Sequence, residues 1–176
     1  MNQTIETLVT TRRSCRAYTT QQVEPEKLEQ IVEAGRYAPT GGGRQPVHFV
    51  VVQDPETVTQ LSRMNAAVLG KSDLDPFYGA PTVIEVLVDA NVGTCVEDGA
   101  LAMGNLMNAA ASLGVDSCWI HRAKEMFESE EGLALLAKWG LPADGSLRGV
   151  GNCILGYRSA PLAEPAPRKD NVTYVK

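Results

Sequence analysis

The sequence predicts a single domain of alternating helices and strands from three observations. Segments with apolar residues at helical spacing alternate with short apolar runs of strand length at 47–52, 82–88, 116–120 and 148–155. Proline and glycine punctuate the boundaries between them. The length of 176 residues suits one domain with a buried core, so residues 1–176 are read as a single domain.

Each element has its own local reason. Ile5, Leu8 and Val9 mark a short amphipathic helix that runs into Arg12-Arg13-Ser14-Cys15-Arg16. A second helix starts at Pro25, a residue suited to the first helical position. It carries Leu28, Ile31 and Val32 on one face and ends near Gly35 to Ala38. The stretch Pro39 to Pro46, with Gly41-Gly42-Gly43 inside it, fits neither helix nor strand, and the strand 47–52 follows. Asp54-Pro55 opens a third helix with a cap and a proline at N1. Ala80-Pro81 introduces the strand 82–88. Residues 98–113 read as a helix stopped by Gly114. This helix is slim, with Ala100, Ala102, Gly104, Ala109, Ala110, Ala111 and Ser112 set among Leu101, Met103, Leu106 and Met107. A helix so apolar all round requires burial, within the subunit or at a subunit interface. The strands 116–120 and 148–155 follow, separated by a helix from Ser129 to Trp139 that ends at Gly140. The tail from Ala160 to Pro167 is proline-rich and extended, and Val172 to Val175 are expected to add a strand at a sheet edge.

Composition excludes several functions. The formal net charge is −5 and the basic residues form no long stripe, which argues against nucleic acid as a partner. No run approaches the ~18 to 20 apolar residues of a membrane span. Met1-Asn2-Gln3-Thr4 lacks a signal pattern, so a soluble cytoplasmic protein is expected. Cys15, Cys95, Cys118 and Cys153 are widely spread and only two histidines are present, so neither a disulfide framework nor a metal site is indicated. The thiols read as small buried hydrophobes, with Cys15 singled out because flanking arginines would lower its pKa. The glycine-rich segment has no G-K-[ST] ending, Gly149, Gly151 and Gly156 do not fit G-x-G-x-x-G, and G-x-S-x-G and H-E-x-x-H are absent. His48 reads as a satisfied structural histidine. What remains is the arginine cluster, whose planar donor forks pair bidentately with phosphate.

Five blocks carry a family resemblance: Arg12-Arg13-Ser14-Cys15-Arg16-Ala17-Tyr18, Ala38 to Phe49, Ser117-Cys118-Trp119-Ile120, Leu155-Gly156-Tyr157 and Pro167-Arg168-Lys169. In this order and at similar spacing across nearly the whole chain, they resemble the nitroreductase-like FMN flavoproteins, in a short form. The resemblance implies an α+β fold, a mixed central β-sheet flanked by helices, with a C-terminal tail extending to the partner subunit of a homodimer. It also implies FMN at the subunit interface, its phosphate and ribityl chain held by Arg12, Ser14, Arg168 and Lys169. Arg16 then lies near the pyrimidine edge, in a catalytic role that needs no proton transfer. Arg13 contributes through its backbone or at the ring edge. Pro39, Thr40 and Gly41 reach the ring from the partner, backbone amides following Ile120 at His121 approach flavin N5, and Asn65 touches the flavin. The implied activity is ping-pong hydride transfer from NADH or NADPH through N5 to a nitroaromatic, quinone or similar acceptor, the alternative being an FMN-binding or storage protein without turnover. Two positions depart from the family pattern: Gly43 stands where many relatives have asparagine, and His121-Arg122 follows Ile120 where glycine is frequent.

Overall fold

Four strands, β1 (Val47–Val52), β2 (Thr82–Asp89), β3 (Asp116–Ile120) and β4 (Leu147–Gly156), form an antiparallel sheet in the order β1-β2-β4-β3. This is a computed structural model and it describes residues 5–176; Met1–Thr4, read above for a signal pattern, lie outside the described residues. Among the described residues the sheet's one parallel pairing is the isolated bridge Ser14 to Ser117, where the Cys15 N–H donates to the Ser117 carbonyl at 3.0 Å. β2 and β4 are central and buried along nearly their whole length, which is why both read as near-continuous apolar runs rather than alternating ones.

Helices cover both faces. On one, α2 (Pro25–Arg36) and α4 (Cys95–Ser112) set Leu28, Ile31, Met103 and Leu106 against Ile84, Val86, Cys153 and Leu155. The two helices approach closely because a Cβ on Gly35 would lie 2.7 Å from a Leu106 methyl. On the other face, α3 (Pro55–Leu69), α5 (Ala123–Glu128) and α6 (Glu130–Lys138) bring Leu61, Met64, Met126, Phe127 and Leu136 onto Val83, Leu87 and Ile154. The short α1 (Ile5–Thr11) buries no residue.

The strands at 47–52 and 116–120 have the bounds read from sequence. Asp54 caps α3 by accepting from the Thr57 N–H at 2.9 Å, and Gly70 closes it at φ 70°. Three readings change. α4 begins at Cys95 rather than Asp98, because the Thr94 carbonyl already accepts from the Asp98 N–H and frees that carboxylate for another partner. α5 is absent from the sequence reading; its six residues are too few to show a helical period. Val172 to Val175 form no strand, since the chain leaves the sheet after the Tyr18 to Arg158 bridge and the tail has no ladder partner within the subunit. The slim helix is not buried all round either: Leu101 is 50% and Val96 38% exposed on its outer side.

Candidate functional site

The arginine cluster starts where α1 ends. The Arg13 Nη1 donates to the Thr10 and Arg12 carbonyls at 2.7 Å each, so part of that guanidinium caps the helix. The chain then turns along the outer edge of β3 through the Ser14 to Ser117 bridge. Arg12 Nη1, Arg13 Nε and the Ser117 hydroxyl are buried there with no hydrogen-bond partner. Arg12, Arg13 and Ser117 line a cleft of about 250 Å³ together with Asp116, Arg158 and Leu162. The acid in this cleft is already answered, for Asp116 accepts from the Arg158 N–H at 3.1 Å and faces its guanidinium at 3.6 Å. Buried donors without acceptors are rare, and these are guanidinium and hydroxyl groups, so the cleft suits an anion. Arg16 is exposed and forms no hydrogen bond or ion pair among the described residues.

A second group gathers at the end of β3. Asn65, fully buried on α3, donates to the His121 carbonyl at 2.7 Å and accepts from the Arg122 Nε at 3.0 Å. Asn152 on β4 donates to the Ile120 carbonyl at 2.9 Å and to that of His121 at 3.2 Å. Arg122 adopts φ 77°, a conformation that costs a residue with a Cβ about 1–3 kcal/mol and persists where surrounding contacts over-determine it. Ile120 is buried and His121 exposed.

The glycine-rich loop lies elsewhere. The Gly41 N–H donates to Asp98 Oδ1 at 2.9 Å, while the Thr94 hydroxyl donates to Asp98 Oδ2, also at 2.9 Å. A Cβ on Gly41 would meet the Thr94 hydroxyl oxygen at 2.3 Å. Thr40 accepts from the Gln45 N–H at 3.1 Å, and Pro39 is exposed. This loop rests on the first turn of α4, whereas Ala111 at the other end of α4 lines the arginine cleft. From residue 98 to residue 111 the helix rises about 20 Å. One subunit therefore keeps Pro39, Thr40 and Gly41 apart from Arg12 and Ser14.

The structure unites Arg12, Arg13 and Ser14 in one place and Asn65, Ile120 and His121 in another, along the same strand edge. Arg168 and Lys169 are exposed on the tail, with no hydrogen bond or ion pair among the described residues, six and seven residues beyond Leu162 of the cleft. Two single-residue readings are corrected. Cys15 is 1% exposed and its thiol is pushed up by burial, which outweighs the lowering expected from flanking arginines. His48 lies exposed on the edge strand opposite Leu87, so it is not a satisfied core histidine. The sequence reading gave no role to Ser117, Asp98, Asn152 or Glu85. Of these only Asp98 had a legible signal, as an acid in a helix first turn. A larger cavity of about 460 Å³ between α3 and the 72–81 segment, lined by Val58, Phe77 and Ala80, contains none of the predicted site residues.

An antiparallel sheet with helices on both faces and, at one edge, a cleft lined by guanidinium and hydroxyl donors defines an α+β protein whose cleft suits an anion. More specifically, the chain belongs to the nitroreductase family, whose model matches residues 9–157. It is 30% identical to a nitroreductase with bound FMN from Bacteroides fragilis, with a TM-score of 0.89 over 100% of both chains. A nitroreductase with bound FMN from Desulfitobacterium hafniense is 26% identical, with a TM-score of 0.87 over 100% of both chains. An FMN reductase [NAD(P)H] from Bacillus subtilis is 29% identical over 174 aligned residues, covering 85% of this chain and 66% of that protein.

Proposed function

We propose that this protein is a homodimeric FMN-dependent NAD(P)H oxidoreductase. The observation that carries the reading is the set of buried donors without acceptors, Arg12 Nη1, Arg13 Nε and Ser117 Oγ, in a cleft whose only acid is already paired. These donors fit a phosphate, and the similar solved structures contain FMN.

Arg12 and Ser14 hold the phosphate, joined by Arg168 and Lys169, exposed on the tail beyond Leu162 of the cleft. Arg16, exposed and unpaired, is the cation available to the ring's pyrimidine edge. The backbone at Ile120 and His121 meets the reactive edge, with Asn65 behind it. Pro39, Thr40 and Gly41 come from the partner, in keeping with their separation from the cleft along α4 and with the exposed side of that helix at Leu101. Held there, FMN would supply the hydride chemistry between NADH or NADPH and a second substrate, a nitroaromatic, quinone or similar acceptor. The protein's share is to bind and orient, so no acid-base pair is required of it.

Anaerobic titration of the FMN-reconstituted protein with NADH and then NADPH tests this. Bleaching of bound flavin by either donor, with parallel double-reciprocal plots against acceptor, is expected. Flavin that binds but stays oxidised with both donors makes the protein a flavin carrier, and absence of flavin binding overturns the site.

A further inference from the structure

Glu85 stands in the middle of central strand β2, fully buried, with neither carboxyl oxygen hydrogen-bonded. Its register partner on β4 is Asn152, equally buried, whose Oδ1 is also unpartnered. Side chains alternate along a strand, so Glu85 shares the face of Val83 and Leu87, and Asn152 that of Ile154, beneath α3 and α5. Directly opposed residues on one face have Cβ atoms about 4.5–5.5 Å apart, which brings three orphaned oxygens together.

The hydrogen-bond directions settle which group donates. Asn152 Nδ2 faces two carbonyls, of Ile120 at 2.9 Å and His121 at 3.2 Å; turned over, the amide would set oxygen against oxygen. Oδ1 therefore accepts, and the side chain opposite it is Glu85. An ionised Glu85 has only acceptors to offer, while a neutral one has an O–H. Burial favours the same state, pushing this carboxyl's pKa well above the ordinary value.

The chain of bonds continues outward. Asn152 and Asn65 draw the Ile120 and His121 carbonyls into the core from two sides, and Asn65 Oδ1 fixes the Arg122 guanidinium. In a trans peptide the N–H points opposite to the carbonyl, so the His121 and Arg122 N–H groups are turned away from the core. Neither is paired across the loops and caps of the fold. We propose that neutral Glu85 donates to Asn152 and that this pair is a positioning device for the Ile120–Arg122 turn, presenting the His121 and Arg122 amides to the bound cofactor. Glu85 and Asn152 are positioning residues, and the role given to the two amides rests on the FMN reading above.

The test compares wild type with Glu85→Gln, which keeps a donor toward Asn152, and Glu85→Leu, which removes it. Infrared spectra of the apo proteins at neutral pH are expected to show a protonated-carboxyl band in wild type that Glu85→Gln lacks. Identical spectra in that region overturn the bond. With FMN, Glu85→Gln should retain wild-type affinity and flavin midpoint potential, while Glu85→Leu should bind about 10-fold more weakly and shift the potential. Wild-type behaviour in both variants overturns the positioning role. The double variant Glu85→Leu/Asn152→Leu replaces both partners with apolar groups, a change that cores tolerate better than one orphaned group. It should show the same weakened binding even where Glu85→Leu alone fails to fold, and wild-type FMN affinity in it counts equally against the positioning role. If wild type binds no FMN, the cofactor reading falls, and the infrared band still decides the bond between Glu85 and Asn152.

Discussion

The two faces of the sheet solve different problems. Under α2 and α4 the interior is apolar and tight, with glycine at Gly35 and Gly99 letting Leu106 and Val150 approach to distances that a Cβ would forbid. Under α3 and α5 the same sheet buries Asn65, Glu85 and Asn152, and the hydrogen bonds of the two asparagines converge on one turn at the end of β3. Buried polar groups cost free energy unless paired, so a protein that needs only stability would fill both faces alike. The difference separates a face that holds the fold from a face that aims a site.

That contrast can be broken in order of expected effect. Leu106→Ala, on the packing face, should cost about 2–5 kcal/mol of stability through the cavity it leaves, with FMN affinity per folded molecule unchanged; chemical denaturation and a flavin titration read the two halves. Weakened FMN binding at full saturation of fold would erase the distinction between faces. Arg12→Ala should do the converse, removing a charge-assisted bond of about 1.5–3 kcal/mol from FMN retention, roughly 10-fold or more in Kd, with little change in melting temperature.

Glu85 sharpens the comparison through pH. Its folded pKa lies well above the ordinary value of 4.5, so the folded state keeps a proton that the unfolded chain releases. Stability from this group is fully present below about pH 4.5 and declines as pH rises toward the folded value, by about 1.4 kcal/mol per pH unit in that window. Denaturation midpoints of wild type and Glu85→Gln measured from pH 4 upward should therefore diverge, wild type losing ground; parallel curves would show that the carboxyl titrates normally. The smallest effect is expected at Asp98→Ala, which leaves the Gly41 N–H and the Thr94 hydroxyl without their shared acceptor. A loss of about 1 kcal/mol, with the 39–46 loop more open to limited proteolysis, is the expected outcome. An unchanged proteolysis pattern would free that loop from any dependence on α4.

Much of the fold was legible because its signals are local. A cap followed by proline at Asp54-Pro55 fixes where α3 begins, and apolar runs bounded by Pro46 and Pro81 fix where β1 and β2 begin. The arginine cluster was legible as a concentration of donors suited to an anion, and its buried unpartnered nitrogens were not. Glu85 was not, for in the run Thr82 to Val88 an acid reads as the solvent side of a strand, and only a sheet covered on both faces makes it an interior residue. Asn65 could be named from resemblance, but its partners His121, Arg122 and Met126 lie 56, 57 and 61 positions away and meet it only through tertiary packing around the end of β3.

The sequence by itself thus determined most of the helices and the four strands, the family and the donor chemistry at Arg12 to Arg16, since periodicity, caps and guanidinium groups act within a few residues. The tertiary structure alone decided that Asn65 from α3 and Asn152 from β4 meet at the end of β3, the strand that carries Ser117, and that the Gly41 loop lies about 20 Å along α4 from the arginine cleft. It also left Glu85 to answer to Asn152. Those relations depend on strand register and helix placement, which bring together residues far apart in the chain and have no signature in any short stretch of it.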